Sequence, residues 1–252
     1  MTTPCFRRLA VLAVLLFTGA AVRAELPIIA KARAYVGSEA ALDAVKSIHY
    51  VGSLITTDPT DARKLTYVTV DIMIQSPYRQ RISNSSDKSI EVTGLDNYDG
   101  WHRVQDPKDA THWRLVLLGK DQIKRLRANT WENLAFYRGL EREGGRVLDQ
   151  GAATVDGVAC RKVAFVHDDS IVFFRYFDET TGRLVLTETE RGVAIRELGE
   201  IQANGVRFPK SIITTAKAAD GKPQSVTVTF DKVTVNESFP AGTFAIPAFS
   251  AN

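Results

Sequence analysis

Apolar and polar residues alternate along most of this chain with a period close to two. The clearest case is 65–75, where Val68, Val70, Ile72 and Ile74 share one face and Thr69, Asp71 and Gln75 lie on the other. Such alternation predicts a strand with one face in a core. The segments 48–57, 78–83, 88–95, 99–105 and 113–118 read the same way, as do 158–167, 170–178, 184–190, 193–202, 206–217 and 224–235. Asp58-Pro59-Thr60-Asp61, Asp106-Pro107-Lys108-Asp109, Asn204-Gly205 and Asp220-Gly221 supply turn chemistry between them.

Helical spacing appears in two places. Near the start, 28–36 is rich in alanine with Lys31 and Arg33 expected on its exposed side, Gly37 interrupts it, and Ser38 is placed to cap a second helix over 39–47. Mid-chain, 121–138 carries Ile123, Leu126, Thr130, Trp131 and Leu134 at helical intervals, and Gly139 and Gly144-Gly145 follow. The order is two helices, half the strands, one helix, then the remaining strands. Short connections favour an antiparallel meander. The fold class is therefore mainly β with α, a strongly curved antiparallel sheet covered by helices. Periodicity leaves open whether side chains fill the enclosed volume or leave a cavity.

The first 24 residues have a different pattern. Arg7 and Arg8 precede the apolar run 9–17, and Val22-Arg23-Ala24 offers small residues where a signal peptidase reads them. The run is shorter than the roughly 20 apolar residues that span a bilayer. We expect a signal peptide over 1–24, a mature chain starting at Glu25, a single domain over 25–252 and a periplasmic location. Removing 24 of 252 residues leaves 228, one core's worth of chain. The loss of Arg7, Arg8 and Arg23 lowers Lys+Arg from 32 to 29, equal to the 29 Asp+Glu. That balance gives no strong field for nucleic acid. Cys160 remains as the one mature cysteine and is expected to be a buried, inert thiol.

Catalytic chemistry has little support. The four histidines, His49, His102, His112 and His167, form no metal-protease pattern, and no nucleophile elbow or phosphate-cradling glycine loop is present. His167-Asp168-Asp169 reads as a solvated turn between strands. An odd offset of seven sets Cys160 and His167 on opposite strand faces, against a thiol–imidazole pair. Lys120, Lys124, Arg125 and Arg127 read as a solvated helix face. Trp131, Phe136 and Tyr137 read as core that could also touch a ligand.

Several motifs resemble, in order, those of the LolA/LolB-type outer-membrane lipoprotein-sorting superfamily. They are the helix pair with Gly37 leading into Ile48-His49-Tyr50-Val51-Gly52, the strand start Ser76-Pro77-Tyr78-Arg79-Gln80-Arg81, and the hairpin from Tyr98-Asp99-Gly100-Trp101 to Asp106-Pro107. Asp156-Gly157-Val158-Ala159-Cys160, Tyr176-Phe177-Asp178 through Gly182-Arg183-Leu184, Asn204-Gly205-Val206-Arg207-Phe208-Pro209 and Val235-Asn236 through Phe244-Ala245-Ile246-Pro247 continue the match. One departure is Ser76, at the place where the family's well-studied carriers have an arginine before the proline. The resemblance implies an unclosed β-barrel capped by helices, with a hydrophobic cavity for acyl chains, no enzyme activity, no metal and no cofactor. It implies acyl chains of lipoprotein or lipid as the ligand, and an inner-membrane exporter and outer-membrane acceptor as partners. The cavity-lining candidates are then Val68, Val70, Ile72, Ile74, Tyr78, Trp101, Trp131 and Leu134. The alternative on the same fold is an envelope interaction or sensing domain that recognises protein partners.

Overall fold

The computed structural model describes residues 25–58, 61–218 and 221–248. The signal-peptide expectation falls on 1–24, outside the described residues. Thirteen strands form one antiparallel sheet: β1 (Ser47–Asp58), β2 (Asp61–Gln75), β3 (Arg79–Ser85), β4 (Ile90–Asp96), β5 (Asp99–Asp106), β6 (Asp109–Leu117), β7 (Arg146–Val155), β8 (Val158–Asp168), β9 (Ile171–Asp178), β10 (Leu184–Thr189), β11 (Ala194–Ala203), β12 (Val206–Lys217) and β13 (Pro223–Val235). The spatial order is β6-β5-β4-β3-β2-β1-β13-β12-β11-β10-β9-β8-β7. Each half is a meander, and β1 meets β13 at the centre, Ile48 opposite Val235. The sheet is not closed: β6 and β7 are its edges.

Local chemistry sets the connections. The β7–β8 and β11–β12 loops are two residues long, Asp156-Gly157 and Asn204-Gly205, and all four have positive φ. That is the type I′ geometry whose twist suits a tight hairpin. Strand β7 is an addition to the sequence reading. Its segment Arg-Val-Leu-Asp-Gln-Gly-Ala-Ala-Thr-Val lacks clean alternation because a bulge at Gly151, φ 88°, shifts the register between Asp149 and Gly151.

The helices cover the sheet only in part. They are α1 (Pro27–Val36), α2 (Glu39–Asp43) and α3 (Lys120–Leu134). Ser38 caps α2 as expected, its Oγ accepting from Ala41 N at 3.2 Å. The helix then stops short of 47, because Ser47 onward pairs with β2 and β13. Helix α3 ends before 138, because Phe136 (φ 46°) and Tyr137 (φ 72°) take the left-handed region. Non-glycine residues enter that region at a cost of about 1–3 kcal/mol unless neighbours hold them. Arg33 is the holder here. It is not on the exposed face of α1 but 2% exposed, donating to Phe136 O at 2.9 Å and to Glu39 Oε2 at 2.6 Å. Among the described residues no helix is long and apolar enough to cross a membrane.

Within the basic run on α3, Lys120 and Lys124 are exposed as expected, while Arg125 and Arg127 turn inward and fasten the helix. Lys124 pairs with Asp168 at 3.3 Å, and Arg125 pairs with Glu190 and donates to Ser170 O at 3.0 Å. On the other side Arg127 donates to Asn97 O and stacks over the Tyr78 ring at 3.6 Å and the Tyr98 ring at 4.2 Å. The helix thus ties the β4–β5 turn to the β8–β9 turn across the open side of the sheet.

Two apolar clusters fill the concave side around α1 and the end of α3. One gathers Leu42, Ile48, Tyr50, Ile74, Phe208 and Phe230. The other gathers Ile29, Ala128, Val163, Phe165, Phe173 and Phe177. Each fully buried side chain of this size stabilises by about 1.5–3 kcal/mol. On the outer face of β8–β10 a smaller cluster holds Cys160, which is fully buried. Burial pushes its thiol pKa up.

Candidate functional site

Between the two clusters lies a cavity of about 340 Å³. Its lining reaches from Gln80 on β3 to Phe173 on β9, strands seven places apart in the sheet order, so the sheet curls around it. One wall is apolar: Tyr50, Ile72, Ile74, Phe208, Ile212 and Phe230. The register explains this wall, since Tyr50 sits opposite Ile72, and Ile48 opposite Ile74, on the inward parity of β1 and β2.

The facing wall is polar. Arg175 on β9, Thr187 on β10 and Ile195 on β11 stand in one cross-strand row, with Glu197 two residues along the same face of β11. From above, α3 contributes Asn129, Glu132 and Asn133. Glu132 is the centre of a buried ionic group. Its Oε1 accepts from His167 Nε2 at 2.6 Å, and its Oε2 abuts Arg175 Nη1 as an ion pair out of hydrogen-bonding alignment. The side chains of Glu132 and Arg175 are 5% and 8% exposed. Arg175 stacks 4.8 Å from the Tyr137 ring centroid and 4.9 Å from that of Phe165. Burial raises the pKa of Glu197, and the charge of Arg175 opposes that rise. Glu197 keeps some surface open to the cavity. Among the described residues no three His, Cys, Asp or Glu side chains are grouped to hold a metal.

A second cavity of about 150 Å³ adjoins the first and shares Leu184, Glu197 and Phe208 with it. It lies where β10 and β11 separate: they pair only at Thr187↔Ile195 and Glu188↔Ala194. Tyr35, Arg183, Glu200 and Arg207 line this opening.

The structure distributes the sequence candidates unevenly. Ile72 and Ile74 line the cavity. Val68 and Val70 share their inward face, Val70 buried and Val68 half-buried, but lie beyond the cavity lining. Trp131 packs its ring 5.3 Å from His167 in the second apolar cluster, and Leu134 packs against the first. Tyr78 sits outside the cavity, its hydroxyl on Glu143 and its ring under Arg127. Trp101 is on the opposite face of the sheet. Its partner position Gly94 leaves room for the indole, and its Nε1 donates to Phe244 O at 3.0 Å. Parity explains this, because Gly100, the residue before it, is the one that faces Ile123 of α3.

Glu132, His167, Arg175 and Glu197 were not among the candidates. His167 is not part of the turn: it is the inward-facing end of β8, and only Asp168, bonded to Ser170 N at 2.8 Å, shapes the turn. A signal did exist. Arg175 keeps parity with Ile171, Phe173 and Phe177, and His167 with Val163 and Phe165, so each polar residue falls on an apolar face.

No protein-family model matches the sequence, and no curated protein gives a significant match. Solved structures are similar in fold. A DUF1329 family protein from Desulfovibrio piger is 9% identical, with 86% of this chain and 95% of that one covered and a TM-score of 0.52. A LolA superfamily protein from Nitrosomonas europaea is 12% identical over 87% and 96% of the two chains, at 0.53. A domain from Vibrio parahaemolyticus named for outer membrane lipoprotein sorting is 10% identical over 86% and 94%, also at 0.53.

Proposed function

We propose that this chain, which has the LolA-like fold, is a non-catalytic periplasmic binder of acyl chains that carries lipid or lipoprotein toward the outer membrane. The observation that carries this reading is the cavity inside the curled sheet with its continuous apolar wall. A volume of 340 Å³ falls at the small end of ligand pockets, about 300–1,000 Å³. At roughly 30 Å³ for a water-sized group, it holds about ten methylenes. Burial at about 0.8 kcal/mol per methylene gives about 8 kcal/mol. Association costs of about 4–15 kcal/mol oppose this, so binding is reversible, as a carrier needs. The space suits one chain, and a triacylated ligand would require the β10–β11 separation to widen. The alternative, an envelope interaction or sensing domain that recognises protein partners through the same cavity or a sheet edge, is favoured by a filled interior, and the open volume favours the carrier. The charge–apolar–small order of 1–24 supports export. N-terminal sequencing of the exported protein should begin at Glu25, and finding Met1 would count against it.

The test is displacement of a fluorescent fatty-acyl probe. Wild type should bind it, and Ile72→Asp should lose binding while keeping its circular dichroism, because an unpaired charge is costly on an apolar wall. A folded wild type that binds neither the probe nor triacylated lipoprotein removes the proposal.

A further inference from the structure

An acyl cavity needs only an apolar lining, yet this one has a cation built into its polar wall. Arg175 occupies a position that β9 otherwise gives to core, between Phe173 and Phe177. Its side chain is more than nine-tenths buried, lines the cavity, and has the ring centroids of Tyr137 and Phe165 4.8 Å and 4.9 Å from its guanidinium carbon. Its Nε has no hydrogen-bond partner and no open surface, so a ligand oxygen reaches it only when the neighbouring side chains shift. Glu132 lies against Nη1 and is also bonded to His167. An unsatisfied buried donor is costly, and such groups in a folded protein call for a partner. A guanidinium is a planar fork of five donors that matches the paired oxygens of a carboxylate or phosphate.

The groups that face Arg175 allow an anion there. Glu132 neutralises one charge, His167 lies behind it, and Tyr137 offers its ring. Glu197 shares the wall, and burial raises its carboxyl pKa, which lessens its repulsion of an incoming anion. Opposite stands the apolar wall of Ile72, Ile74, Ile212 and Phe230. The cavity is thus amphipathic across its width.

We infer that the Arg175 guanidinium is a head-group subsite, and that the ligand is a single-chain amphiphile whose carboxylate or phosphate rests on Arg175 while its tail lies along the apolar wall. This inference rests on the acyl-binding reading and names its ligand class. The head enters the protein, where a purely hydrophobic carrier would leave it in solvent.

Competition against the acyl probe tests this with three ligands of one chain length: dodecanoate, methyl dodecanoate and dodecyl phosphate. Wild type should hold an anionic ligand about 10- to 100-fold tighter than the ester, the effect of a hydrogen bond to a charged group. The better of the two anions identifies the head. The double variant E132Q/R175M removes both members of the ion pair and leaves no lone buried charge. It should bind acid, phosphate and ester alike. R175K, which keeps the charge but not the fork, should lose most of the preference and serves if the double variant fails to fold. Equal binding of acid and ester by wild type overturns the subsite and leaves acyl binding standing. A preference that survives in E132Q/R175M, or in a folded R175K at full strength, also overturns it. Binding of none of the three overturns both readings.

Discussion

His167 Nε2 donates to Glu132 Oε1 at 2.6 Å, a bond that joins the last inward residue of β8 to the middle of α3. The same carboxylate meets Arg175, so one side chain from the helix holds a residue on each of two strands. The group is nearly sealed from solvent.

Replacing Glu132 should therefore be severe. Glu132→Gln leaves Arg175 buried without a counterion, and breaking a buried pair from one side costs about 3–5 kcal/mol. In urea unfolding the midpoint should drop accordingly, and E132Q/R175M should recover a large part of the loss through a positive coupling. An E132Q midpoint equal to wild type would show that the pair contributes nothing.

His49 gives a pH dependence. Burial lowers its pKa, but hydrogen bonds to Glu237 at 2.9 Å and Asp71 at 3.1 Å more than offset this, and the net direction is up. The folded state then holds the proton more tightly than the unfolded one. The stability it confers is fully present below the unfolded value of about 6.5 and is lost as pH rises through the higher folded value. The stability difference between wild type and His49→Gln should be larger at about pH 5.5 than at about pH 9. A difference that grows with pH would contradict the assignment.

Glu197 has the same sign in a different window. Burial raises its folded pKa, so its favourable term is present below the unfolded value of about 4.3 and is lost as pH rises through the folded value. Glu197→Gln carries no such loss. Relative to wild type the variant should gain denaturation midpoint steadily on going from acid to neutral pH. A midpoint gap independent of pH would mean that Glu197 titrates normally.

Trp101 fastens the segment after β13 to the outer face. Trp101→Phe removes the bond to Phe244 O and should cost about 1 kcal/mol, with faster proteolysis beyond residue 236. Gly94→Ala should do more harm, because a Cβ there would lie 2.2 Å from Trp101 Cε2, and overpacking costs about 1–3 kcal/mol. Unchanged protease sensitivity in both variants would separate Trp101 from that segment.

Cys160 should resist a thiol reagent in the native protein at a rate set by unfolding, since it is fully buried and its thiol pKa is raised by burial. Labelling as fast as that of a free thiol at neutral pH would place it on the surface.

Strand positions were legible wherever one face was apolar, as at Ile72 and Ile74, because period two is a local property. Strand β7 was hidden by its bulge, and Trp101 was assigned inward because an aromatic next to a turn says nothing about parity without its register. The ionic group escaped for another reason. A charge inside a strand reads as solvent-facing unless its alternation partners are counted, and Glu132, Arg175 and Glu197 come from three separate elements. Their meeting depends on how far the sheet curls, which no local pattern encodes. Arg125 and Arg127 of α3 misled in the same way: their acceptors, Glu190 and Asn97 O, lie up to 65 positions away in sequence.

The pairing of the first strand with the last sets a timetable for folding. Val235 follows Ile48 by 187 positions, and β1 cannot gain its second neighbour until β13 has been made. Until β13 docks, the β1–β6 meander has a bare edge at β1. An unpaired edge of that length invites strand addition by another chain. A fragment ending before β13 should therefore self-associate through β1, and the full chain should not.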